Sequence, residues 1–180
     1  DQPYQQSASE GYEADGLLYL KSGSKEQNIL AKQGDDLRID WGYFYMVAGK
    51  ENTAYSVGNS TELRKNFVNG TLNSASLEGE DSNGNMALVR SHGKVKNVTD
   101  KIMLGYDDIY SIQYFGTNLR PYWNSKGDRT IEAEMLAAYN EYDKLLARCY
   151  AFDKKLMEDA SAAGGKEYAE LCALAYRQSI

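Results

Sequence analysis

Two neighbouring carboxylates, Asp107 and Asp108, stand inside an aromatic run, "LGYDDIYSIQYFGTNLRPYWN" at residues 104–124. Paired acids are the equipment of general acid–base hydrolysis, so the first question is whether these two can serve one substrate. Glycosidase-type chemistry holds its carboxyls about 5 to 9.5 Å apart across the scissile bond, usually from separate chain segments. Neighbours on a strand point to opposite faces, and in a turn they can diverge or converge. The pair is therefore a poor intrinsic dyad. A structural or ligand-positioning role outweighs direct chemistry, with Asp108 the candidate for polarising water if one acid acts. Past the Gly116 break come Arg120, Tyr122 and Trp123. An arginine among aromatics can hold a carboxylate or stack on a sugar, and can equally pin a linker to a sheet.

Other chemistries find less support. The single histidine, His92 in "RSHGK", excludes a histidine-based metal cluster, and no CxxC replaces it. His92 reads as a solvated hairpin tip. "DSNGN" at 81–85 starts like a calcium loop, but Met86 and His92 occupy the places of the required glycine and terminal acid, so an Asx-type turn is expected. No metal and no cofactor is expected. Three glycosylation sequons begin at Asn59, Asn69 and Asn97, and no inference follows from them.

The elements that must position these residues change character along the chain. In "DLRIDWGYFYMVA" Leu37, Ile39, Trp41, Tyr43, Tyr45 and Val47 alternate with Arg38, Asp40, Gly42, Phe44 and Met46. One face is apolar throughout and the other turns apolar past Gly42, which suits a central strand covered on both sides at its far end. Turn signals at "VNGT", "EDSNGN" and "SHGK" separate short strands such as "MALVRS" and "KVKNV", the pattern of an antiparallel sandwich. "TELRKNF" fits a short helix or a bent strand equally. From Ile131 the period becomes helical, through Met135, Tyr142, Cys149, Phe152 and Leu156, with Asp128 or Thr130 as cap. "ASAAGG" ends that helix, with Gly164 or Gly165 available for a left-handed position. A second helix, "KEYAELCALAYRQSI", is apolar nearly all round and built to be buried. In such a hairpin Cys149 and Cys172 stand on the order of 10 Å apart along the axis, too far for a bridge, and both are expected as buried packing thiols.

The fold class expected is α+β: a sandwich region over residues 1–124, then a helical hairpin over 125–180. The chain's 180 residues include 42% hydrophobic and 26% charged, an ordinary globular balance, with 15 Tyr and 16 Gly against 2 Pro. Twenty basic against 26 acidic residues, net −6, argue against a nucleic-acid or anionic-membrane partner. No apolar run approaches ~18 residues, so no membrane span is expected. The N-terminal "DQPYQQSASEG" lacks a leader pattern, and apart from the first helix and some sheet nothing in the chain remains to cover the second helix. A portion of a longer protein, packed against the remainder of its parent, is the expectation.

Three motifs together, "DDLRIDWGYFYMVA", "LGYDDIYSIQYFGTNLRPYW" and "DASAAGGKEYAELCALAYRQ", resemble the glutaminase A-like proteins of fungi and Bacteroides-type bacteria. The resemblance spans nearly the whole chain. It implies a β-sandwich followed by an α/α six-hairpin toroid, with the first hairpin beginning near residue 128. It also implies a secreted or periplasmic hydrolase that converts glutamine to glutamate and ammonia. Residues matching it include Asp107, Asp108, Tyr114, Gly116 and Trp123 at the junction, and Tyr176, Arg177 and Gln178 in the second helix. Arg120 or Arg177 would hold a substrate carboxylate, with Asp107, Trp123 and Gln178 as further binding candidates. The toroid architecture keeps a six-hairpin glycoside hydrolase open as the rival, with a carbohydrate in place of the amino acid. A non-catalytic structural or binding module is the third reading.

Overall fold

A computed structural model describes residues 7–31, 39–72 and 85–179. It is α+β, with antiparallel sheets followed by a helical hairpin. The main sheet contains β1 (Ser7–Ala14), β2 (Leu17–Ser24), β3 (Tyr43–Gly49) and β6 (Met103–Asp107), in the order β1-β2-β3-β6. A second sheet pairs β4 (Thr53–Gly58) with β5 (Asn85–Arg90), and a small hairpin pairs β7 (Ile112–Tyr114) with β8 (Thr117–Leu119). Helix α1 (Ser60–Val68) lies between β4 and β5 in sequence, and α2 (Ile131–Gln178) closes the chain. The β1–β2 loop is Asp15-Gly16, with φ of 50° and 78°. Positive φ at both loop residues is the two-residue hairpin geometry that Asp-Gly adopts most readily.

The period-2 pattern gives the main sheet two different apolar faces. On one, Leu18 and Leu20 are buried against Val57, with Met46, Tyr55, Met86 and Leu88 packed around them. Each buried aliphatic side chain contributes about 1.5 to 3 kcal/mol. In this layer β4 lies against β1, and β5 against β2. Gly11 admits the Tyr55 ring, since a Cβ there would overlap it. On the opposite face Tyr19, Tyr45 and Val47 are buried. Here the first turns of α2 settle on the sheet, with Met135 over Gly105, whose missing Cβ leaves room for its terminal methyl.

Several expectations need correction. The strand read from residue 37 begins at Tyr43, while Leu37 and Arg38 lie outside the described residues. Gly42 is the reason: its φ of 87° breaks the extended run, and a Cβ there would strike the Asp107 carbonyl oxygen. From Tyr43 onward the alternation holds. "TELRKNF" belongs to helix α1, capped by the Asn59 side chain, which accepts from the Thr61 N–H at 2.9 Å. "VNGT" is the end of that helix, with Asn69 as C-cap. The turn expected in "EDSNGN" falls on residues 80–84, outside the described residues, and Asn85 opens β5. "KVKNV" forms no strand; residues 91–102 run exposed and irregular between β5 and β6. The valines at 95 and 98 are both about half exposed. His92 consequently tips no hairpin.

The chain separates into compact units at residues 1–136 and 137–180. In the second, helix α2 is broken at Gly165, whose φ of 80° and ψ of −175° are open to glycine alone. The arms meet through Phe152 and Tyr176, with ring centroids 5.0 Å apart, and Ala160 and Ala169 are buried. Thr130 Oγ accepts from the Ala133 N–H at 3.3 Å, as expected of a cap. Both cysteines are free. Contrary to expectation, Cys149 is exposed and Cys172 half-buried, with the ring contact between the arms falling on Phe152 and Tyr176 instead. Leu171, Leu174 and Tyr176 are also exposed, so the helix expected to be buried is largely uncovered.

Candidate functional site

The junction after β6 is built from backbone carbonyls held by aromatic donors. Trp41, 6% exposed, sends its indole N–H to the carbonyl oxygens of Asp108 at 2.7 Å and Tyr110 at 2.9 Å. Tyr106 in turn donates its hydroxyl to the Trp41 carbonyl. The chain turns tightly here, with Ile109 at a φ of 58° and the Tyr110 N–H donating back to the Asp108 carbonyl. One tryptophan thus ties together the two carbonyls on either side of the reversal.

Within that reversal both candidate acids are occupied. Asp107 Oδ1 accepts from the Ile109 N–H at 3.0 Å, an Asx turn. Asp108 Oδ2 accepts from the Ser111 hydroxyl at 2.6 Å. Each carboxylate commits one oxygen to its own turn, and both side chains are half-buried. Arg120 places its guanidinium 5.1 Å from the centre of the Tyr110 ring, a cation–π contact on the residue two beyond Asp108. Gly127, at a φ of 73°, passes close to Arg120; a Cβ there would stand 3.0 Å from its Nε. Trp123 occupies a single 3₁₀ turn, Tyr122–Asn124, and is half-buried, while Tyr122 is fully exposed. Asp107, Asp108 and Arg120 therefore share one neighbourhood through Tyr110. Arg177 and Gln178 are exposed in the last turn of α2 and belong to the other compact unit.

Two further clusters carry polar chemistry that spacing did not single out. Arg90 holds Asp100 with two hydrogen bonds, Nε to Oδ2 at 2.6 Å and Nη2 to Oδ1 at 3.0 Å. Its Nη1 reaches the Gly49 carbonyl at 2.5 Å and Thr53 Oγ at 2.5 Å. His92 Nε2 stands 3.1 Å from the same Asp100 oxygen. Hydrogen bonding from Arg90 holds the Asp100 carboxyl below its ordinary range. The His92 side chain is thus engaged in a clasp on the irregular segment instead of standing free in solvent.

The second cluster lies between the main sheet and the first turns of α2. Tyr12 donates to Glu132 Oε1 at 2.6 Å, and Tyr19, stacked on Tyr12 with centroids 5.1 Å apart, donates to the Glu132 carbonyl at 3.2 Å. Burial, followed by the nearby Glu132 charge, raises the phenols of Tyr12, Tyr19 and Tyr45. These phenols stay protonated, and those of Tyr12 and Tyr19 donate to Glu132. The richness in tyrosine was the available signal; only the fold shows that the three face one carboxylate.

Among the described residues no group of three or more His, Cys, Asp or Glu side chains gathers as a metal site. No described helix is long and apolar enough to cross a membrane. A family model matches residues 1–159. No curated protein and no solved structure matches the chain.

Proposed function

This chain belongs to the family of the domain of unknown function DUF5127, and from that premise we propose that it is the architectural module of a glutaminase-like amidohydrolase. In this reading it seats the start of a helical domain on a sheet, and the groups that cleave the amide come from elsewhere in the protein. One observation carries the assignment. Both junction carboxylates are bound into their own turn, Asp107 by the Ile109 N–H and Asp108 by Ser111. With one oxygen of each held by its turn, these carboxylates serve the backbone reversal first, and only the second oxygen of each remains for other contacts. The amidohydrolase itself, its secreted or periplasmic location and its amino-acid substrate rest on the motif resemblance. The exposed apolar side chains of the hairpin, Leu171 and Leu174 among them, support packing against further protein.

The experiment is glutamine turnover by the full-length protein with Asp108→Asn and Arg177→Ala. The module reading expects kcat/KM within about threefold of the parent for both, and a lowered melting temperature for Asp108→Asn. A loss of 100-fold or more, about 2.7 kcal/mol of transition-state stabilisation, assigns these residues to the chemistry and overturns it.

A second reading, a module of a six-hairpin glycoside hydrolase, draws on Tyr114, Phe115 and Tyr122, which expose their rings near the junction. Exposed aromatic faces stack on pyranose rings. Release of reducing ends from an oligosaccharide panel, with glutamine untouched, would favour it.

A further inference from the structure

Strand β6 forms one edge of the main sheet; among the described residues it pairs with β3 alone. An edge strand presents a row of backbone donors and acceptors, and proteins ordinarily blunt it with lysine, proline or a bulge. Met103, Leu104, Gly105 and Tyr106 offer none of these. Among the described residues the strand is also about half exposed on the face where the second sheet packs. That sheet has, among the described residues, two strands against four, with β4 lying on β1 and β5 on β2. Ile102 is 49% exposed, Leu104 66% and Tyr106 46%, all at the same side-chain parity. The core itself continues up to this strip, because Met46 packs in the sandwich core and its register partner is Leu104.

We infer that β6 is a self-association edge, pairing antiparallel with β6 of a second copy about a two-fold axis at Leu104. Register selects that centre. With Leu104 opposite Leu104 of the second copy, Ile102 falls opposite Tyr106 and Met103 opposite Gly105, twice each by symmetry. The exposed apolar side chains then meet only one another. Lys101 falls opposite Asp107, so charge is complementary at both ends of the ladder. Centring on Gly105 instead sets Ile102 against Asp108 and loses that match. A second copy is therefore the occupant that the sequence of β6 itself complements.

The short ladder limits affinity. A stable dimer buries about 800 Å² per partner, which one five-residue strand does not reach, so dissociation on the order of 0.1 mM is expected. This inference stands apart from the catalytic reading above.

Sedimentation equilibrium of the chain should show monomer passing to dimer around that concentration, and Leu104→Lys should abolish the dimer without lowering the melting temperature. Register is read by crosslinking in a Cys149→Ser, Cys172→Ser background. Cysteines facing across antiparallel strands come close enough for a disulfide, so Leu104→Cys should oxidise to a covalent dimer and Ile102→Cys should not. Amide protection at residues 102–106 should rise with protein concentration. A monomer at all concentrations, equal crosslinking at both positions, or concentration-independent protection, which would place a strand of the same polypeptide on the edge, each overturns the proposal.

Discussion

Replacing Trp41 by phenylalanine tests whether one indole holds the junction together. The indole N–H serves the Asp108 and Tyr110 carbonyls together, at 2.7 and 2.9 Å, and a benzene ring serves neither. Losing one shared donor to buried carbonyls costs about 1 to 1.5 kcal/mol. The smaller ring gives up roughly 40 Å² of apolar contact, about 1 kcal/mol more. The sum, about 2 kcal/mol, corresponds to a fall in melting temperature of about 4 to 8 °C for a unit of this size. Circular-dichroism melts supply the number. Hydrogen exchange supplies the location, since the Tyr110 and Ser111 amides should lose protection before the β1–β2 ladder does. Trp123→Phe is the control, because Trp123 is only half-buried and should cost less. A Trp41→Phe cost under about 0.5 kcal/mol, or one no larger than that of Trp123→Phe, would refute the argument that indole donation fixes the reversal.

Two other outcomes follow from local geometry. Phe115 is 91% exposed yet sits at a φ of 46° in the β7–β8 loop, a conformation that favours asparagine or glycine; Phe115→Asn should stabilise by about 0.5 to 1 kcal/mol in chemical denaturation. The lowered Asp100 carboxyl stabilises the fold at pH values above the ordinary aspartate pKa, about 3.9, and this contribution is lost as pH falls through the folded value. The stability gap between the parent and Asp100→Asn, about 1 to 2 kcal/mol at neutral pH for a partly buried pair, should therefore close in acid, as a melting series from pH 7 to below 3 would read.

What the sequence made legible follows from which interactions are local. The helical period after Ile131 and the break at Gly165 depend on neighbours three or four residues away, and both stand in the structure. The alternation from Tyr43 to Val47 is equally local and holds. Where that strand begins is not local, because Gly42 turns left-handed against Asp107, more than sixty residues on. "KVKNV" alternates well enough for a strand, and only the lack of a paired neighbour shows that it is none. The acid pair could be weighed as turn or chemistry from spacing, but the groups that occupy it, Ser111 and the Ile109 amide, came from the fold. Tyr12 and Glu132 gave no sign of each other across the length of the sheet region. Arg90 and Asp100 meet only because an irregular segment doubles back.

Gly11 and Gly105 sit on opposite faces of the main sheet, each under one large side chain, Tyr55 on one face and Met135 on the other. They act as alignment pins. Sliding the upper layer by one side-chain repeat would set the Tyr55 ring on Ser9 or Glu13, and sliding α2 likewise would set Met135 on Met103 or Asp107. Neither neighbour leaves the space that the glycine leaves. A hydrophobic interface alone tolerates such slips, since grease meets grease at any offset. Two missing methyl groups convert the stack into one with a single seating. Among homologous chains, these glycines should therefore vary together with the residues above them, a larger residue on the strand appearing only where Tyr55 or Met135 has become smaller.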